Sequence, residues 1–154
     1  LAQAIERVGY QPKVPFYGAQ SYGQRFLDLA GSAAEGTILG LTHPIVEEAG
    51  AGGLLADFVA WNERVNPGQE IDFFTFQGWV AADTFADALL AAGPAPTRDR
   101  VLEVLRTFNR VDADGLVAPF DPAGKVGSPC FVVVEVRGGQ WQRVYPQGGG
   151  FACP

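Results

Sequence analysis

The stretch Ala19-Gln20-Ser21-Tyr22-Gly23 has the layout of a strand-to-helix elbow, the sharp turn that can present a serine hydroxyl as a nucleophile. Such a serine needs a base and an acid set well downstream, yet the one histidine, His43, follows soon after, with Asp28 the only aspartate between them. Ester hydrolysis through Ser21 is therefore only a remote alternative. Asp112-Ala113-Asp114-Gly115 has the look of part of a calcium loop, but Arg110 stands where the first ligand would be, so the segment reads as a turn. Gly148 to Gly150 has no helix after it to cradle a phosphate. His43, alone and ahead of Pro44 on a connecting loop, reads as a surface or capping residue. The chain carries no cofactor or metal motif and is expected not to be an enzyme.

Cys130 and Cys153 are the two cysteines. They can pair as a disulfide, or stand as a buried thiol and a tail thiol; the bridge is the favoured reading, as in chains folded outside the reducing cytoplasm.

Bulk properties narrow the partners. With 47% apolar and 18% charged residues, a net charge of -6 and a pI near 4.6, the chain can build a core but lacks the basic footprint that phosphate backbones need. Nucleic acid is not expected. The most apolar stretch, from Phe73 to Gly93, is broken by Gln77, Asp83 and Asp87, so it does not read as a membrane span. The sequence starts at Leu1 and has no methionine, which reads as a piece of a longer chain whose leader would not be seen.

The elements that must position these residues follow from punctuation. Residues 1–8 read as the end of a helix capped by Gly9, and Val14 to Gly18 as a short buried strand. A loop from Ala19 to Gly23 leads into a helix with Phe26, Leu27 and Ala30 inward, and Gly36 to Leu41 forms a second strand. Leu54, Phe58, Trp61 and Val65 recur at helical spacing and are expected to be core, with Asn66, Pro67 and Gly68 ending that helix. A helix from about Gly78 presents Trp79, Ala82, Phe85, Ala86 and Leu89 on one face; another begins at a Thr97 cap, with Val101, Leu102, Leu105 and Phe108 inward. Phe131 to Val136, a Gly138-Gly139 turn and Trp141 to Tyr145 read as a terminal hairpin. The class is α/β.

The order of these signals resembles a known family. "VPFYGAQSYGQRFLDLAGSAAEGTILGL" from Val14 to Leu41, with Ala33-Ala34-Glu35-Gly36 its most telling piece, is similar to the second-lobe strand, ligand loop, helix and strand of type I periplasmic solute-binding proteins of the leucine/isoleucine/valine-binding kind. "FQGWVAADTFADALLAAG" from Phe76 looks like the hinge-proximal helix, and the segment from Gly115 to Pro146 like the closing turn and hairpin.

The resemblance implies a type I periplasmic-binding-protein-like fold, present in part, with flavodoxin-like lobes and a C-terminal hairpin. Residues 1–45 would belong to the second lobe, residues 46–115 largely to helices of the first, and residues 116–154 to the hinge return and the second lobe's hairpin. It implies a small polar or amino-acid-like ligand trapped between lobes, an ATP-driven importer's membrane permease as partner, and an extracytoplasmic location. A ligand-sensing module of a receptor or an amide-responsive regulator is the alternative. Exposed core from a missing lobe would be covered by self-association or left open.

Carried over residue by residue, Gln20 falls where amino-acid-binding members hold a glutamate against the ligand ammonium. A neutral amide there weakens the case for an α-amino acid and favours an amide or urea-like solute; Gln20 can otherwise be a solvated loop residue. Ser21 and Tyr22, its neighbours in the loop, are weaker candidates for contact with the ligand, and Gln77 is a further one. Trp79, just after Gln77, falls where an aromatic lines the cleft, and is equally readable as the first core position of its helix.

Overall fold

The structure, a computed structural model, describes residues 1–154, the side chain at position 51 excepted. Its frame is a four-stranded sheet in the order β1-β2-β3-β4. The valine run builds the centre: in β3, Val132–Arg137, the alternate residues Val132, Val134 and Val136 point inward and are fully buried. Gly138 and Gly139, at φ 61° and 76°, make the two-residue turn into β4, Gln140–Tyr145, because that turn needs positive φ at both positions. β2, Ile38–Leu41, pairs antiparallel with β3, and β1, Phe16–Tyr17, pairs parallel with β2.

β1 is shorter and less buried than its sequence suggests. It is an edge strand with β2 as its only neighbour, so Val14 and Phe16 are each 61% exposed.

Around the sheet lie α1, Ala2–Arg7, and α2, Gln24–Ala30, followed by α3, Leu54–Val65, α4, Phe73–Ala92, and α5, Arg98–Leu105. Thr97 caps α5, its side chain accepting from the Arg100 amide. α4 begins before Gly78: Asp72 and Thr75 form a reciprocal capping box that satisfies the free amides of the first turn and starts the helix at Phe73.

Both long helices turn a different face inward from the expected one. In α3 the core side is Leu55, Phe58, Val59 and Asn62, whereas Leu54, Trp61 and Val65 are about half or more exposed, with Arg64 lying 4.9 Å above the Trp61 ring. In α4 the inward positions are Phe76, Val80 and Ala88, while Trp79, Ala82, Phe85 and Ala86 face outward and Leu89 is partly buried. Each helix is apolar on more than one side, so periodicity alone does not choose the stripe.

Two core clusters result. The larger joins the sheet to Tyr22, Leu27, Phe58, Phe76, Val80 and Trp141; the smaller holds Ala88, Val101 and Val104, where α4 meets α5. α4 thus passes from one cluster to the other along its length.

Contacts distant in sequence lock the larger cluster. Glu35 accepts from the amides of Gly138 and Gly139, at 2.9 and 3.3 Å, tying the turn before β2 to the hairpin tip. Arg143 makes a two-pronged pair with Glu48 at 2.6 Å on each arm and donates to the Gly150 carbonyl at 2.7 Å. Cys130 and Cys153 are joined by a disulfide, alongside the backbone bridge between Phe131 and Ala152. No helix of the described residues is long and apolar enough to cross a membrane.

Candidate functional site

One edge of the sheet gathers three chain segments. The carboxyl ends of β1 and β2 lie there because the two strands are parallel, and the amino end of β3 joins them because Val132 pairs with Leu41. Open α/β sheets hold their ligands at this kind of edge. A cleft of about 360 Å³ lies here, within the size range of small-molecule sites.

Its floor is Ala19, just after β1, with Gly40 and Thr42 at the end of β2. Phe73, Gln77 and Val80, one face of the first two turns of α4, form a wall. The opposite side comes from Val117, Ala118 and Phe120, with Gly127 and Ser128 on the approach to β3. The Ala118 amide donates to the Thr42 carbonyl at 2.7 Å, holding this segment against β2, and a bridge between Val111 and Phe120 closes its loop.

None of the lining side chains is ionisable. The polar ones are Thr42, Gln77 and Ser128, and of these Ser128 already accepts from the Cys130 amide at 3.1 Å, leaving its own proton to donate. The apolar surface of Phe73, Phe120, Val80 and Val117 dominates.

Of the residues expected at a site, Gln77 lines this cleft. Gln20 is exposed one residue beyond Ala19, in a 3-10 turn over Ala19–Ser21, and Ser21 is partly buried beside it; neither lines the cleft. Tyr22 is buried, its hydroxyl accepting from the Val46 amide at 2.8 Å and donating to Glu47 at 3.1 Å. Burial, and then the nearby Glu47 carboxylate, push its pKa far above the usual phenol value, so it stays a neutral structural hydrogen bond. Trp79 stands outside the cleft, edge-on to Phe58 with centroids 5.2 Å apart.

His43 departs from its reading as a surface residue. It is fully buried, because the chain leaving β2 runs beneath the start of α4 and inserts the ring between Tyr22, Phe73 and Phe76. Nδ1 lies 2.7 Å from the Pro44 carbonyl and so carries the proton, while Nε2 has no hydrogen-bond partner. Burial holds the imidazole down to about pKa 4, against the opposing pull of the Pro44 carbonyl and Asp72. Neither Ser21 nor Asp28 engages it; Asp28 accepts instead from Gln24 at 2.8 Å.

The cleft residues Gly40, Thr42, Phe73, Val117 and Phe120 were missed in the sequence. The signal available was positional: Gly40, Thr42 and Phe73 lie at or beside element ends that reach the same sheet edge, and Val117 and Phe120 lie in the loop that leads to β3.

This is the arrangement of a ligand-binding α/β domain with its pocket at the strands' carboxyl ends. A sequence profile of the periplasmic binding protein family matches residues 1–140, and the chain belongs to that family. No curated protein matches the chain in sequence. Among solved structures, it is similar to a branched chain amino acid ABC transporter protein from Thermus thermophilus with bound valine, at TM-score 0.71 and 16% identity over 99% of this chain and 42% of that one. A leucine binding protein from Thermotoga maritima is similar at TM-score 0.69 and 19% identity, over 99% of this chain and 41% of that one. A possible leucine/isoleucine/valine-binding protein from Rhodopirellula baltica gives TM-score 0.75 and 13% identity, over 93% of this chain and 38% of that one. These likenesses show the type I fold, of which the chain spans about two fifths of the neighbours' length.

Proposed function

We propose that the protein containing this chain captures a small solute in the cleft between Thr42, Gln77 and Ser128, without chemical change to it, and delivers it to an ATP-driven importer in the membrane. The observation that carries the reading is the place of the cleft: it lies where β1, β2 and β3 meet the first turns of α4, the helix that links the two core clusters. A solute held there and touched also by the other lobe would favour a closed arrangement by the free energy gained only in that state, which a permease could read. Membership of the periplasmic binding protein family supports capture and an extracytoplasmic location, and the Cys130–Cys153 disulfide suits an oxidising compartment.

In this reading residues 1–45 and the terminal hairpin are second-lobe and residues 46–115 are largely helices of the first, of which α3 and the start of α4 pack against the second-lobe sheet. The outward apolar side chains Phe74, Phe85 and Leu90 are then the surface on which the remainder of the first lobe rests. A thermal-shift screen of the full chain against amino acids, amides and small aromatic acids tests the function, since a ligand of the native state raises its midpoint. Absence of any shift at millimolar solute would refute it.

A further inference from the structure

The cleft is walled by hydrocarbon and neutral polar groups alone, and that composition restricts what it can accept. We propose that the group seated against this chain is an uncharged carboxamide carried on an apolar body, rather than an ammonium or a carboxylate. The inference rests on the solute-binding reading and specifies the ligand of that site.

An ionised group placed against Phe73, Val80, Val117 and Phe120 would lose its water without gaining a counter-charge from these walls, which is strongly unfavourable. The ionisable neighbours of the lining residues in sequence, His43, Asp72 and Asp121, do not themselves line the cleft. The Asp72 carboxylate accepts from both the Thr75 amide and the Thr75 hydroxyl, each at 2.8 Å, so it is engaged in capping α4 and at the same time answers the positive end of that helix. His43, adjacent to Thr42, is buried and turned to the Pro44 carbonyl through Nδ1. Gln20, exposed and outside the cleft lining, is neutral.

What the cleft offers instead is a matched set of neutral partners. The Gln77 side chain supplies both a donor and an acceptor, the pair a primary carboxamide needs in reverse. Ser128 accepts from the Cys130 amide and has its proton free to give to a carbonyl oxygen, and the Thr42 hydroxyl can act in either sense. The aromatic rings of Phe73 and Phe120 supply flat apolar faces for the body that bears the amide.

The test is calorimetric titration of the full chain with three probes that share a phenyl body, benzamide, benzoate and benzylammonium, together with the variants Gln77→Glu and Gln77→Leu. Gln77 is exposed at the cleft and away from both cores, so both variants fold. Benzamide is expected to bind at least tenfold more tightly than either ion; Gln77→Leu should weaken benzamide at least tenfold, and Gln77→Glu should turn the preference towards benzylammonium. Tighter binding of benzoate or benzylammonium to the unaltered chain overturns the ligand class while leaving solute capture intact. No binding of any probe, together with no thermal shift from the wider solute screen, overturns both; no probe binding alongside a solute that does bind overturns the carboxamide assignment alone.

Discussion

His43 lies face to face on Phe76, the ring centroids 4.1 Å apart and the planes 13° from parallel. The stack joins the end of β2 to the first turn of α4, immediately behind the cleft, and burial there requires a neutral imidazole.

That requirement gives a pH dependence. His43 has a pKa near 4 when folded and 6.5 when unfolded, so between these values the unfolded chain binds more protons than the native one. Its stabilisation is complete above pH 6.5, declines as the pH falls towards 4 and is then constant, a loss of about 3 kcal/mol. Burial raises the pKa of Glu47 and Asp83, which act in the opposite direction as acid is added, so the comparison with His43→Phe isolates the imidazole. Urea unfolding at pH 7.5 and pH 4 should show the variant losing at least 2 kcal/mol less than the parent. Equal losses would show that His43 does not govern the acid limb.

Glu35→Ala should lower stability by about 1 kcal/mol, because the amides of Gly138 and Gly139 lose their carboxylate partner and fall back on water. Glu35→Gln, which keeps one acceptor, should recover part of it. Thermal unfolding measures both, and an unchanged midpoint in Glu35→Ala would remove this contact from the account.

Arg143 is 10% exposed at its side chain and Glu48 32%, so their pair is shielded more than a surface bridge. Arg143→Ala should cost about 3 kcal/mol, since it strands Glu48 and frees the Gly150 carbonyl. In a double-mutant cycle with Glu48→Ala the coupling should exceed about 1 kcal/mol. A coupling near zero would mean that the ion pair adds no interaction energy to the fold.

The disulfide joins cysteines separated by 23 positions, and in the chain-entropy account Cys153→Ser should lower stability by about 3 kcal/mol. The oxidised native chain should take up no thiol reagent until reduced, which mass spectrometry reads directly.

Much of the fold is legible in local chemistry. Thr97 as a cap, Gly138-Gly139 as a primed turn and the alternation of Val132, Val134 and Val136 each determine their element from neighbours within a few residues. The helix faces are not, because α3 offers Leu54 and Leu55 as equivalent starts to an apolar stripe and α4 is apolar almost all round. The start of α4 was readable in Asp72 and Thr75, a capping pair that the glycine at position 78 obscures. The burial of His43 and the reach of Glu35 to Gly138 depend on how distant segments meet, which no local pattern encodes. For the same reason the candidate site was legible only in Gln77: the other cleft residues are small or apolar and become a site only where strand ends converge.

The central claim is that solute binds at the strand ends against the first turns of α4, and calorimetric titration of the full chain with its best ligand, in Gln77→Ala beside Trp79→Ala, tests it most directly. Gln77→Ala should weaken binding at least tenfold, about 1.4 kcal/mol, while Trp79→Ala, whose indole packs on Phe58 outside the cleft, should stay within threefold of the parent. Unchanged affinity in Gln77→Ala with a large loss in Trp79→Ala would contradict it.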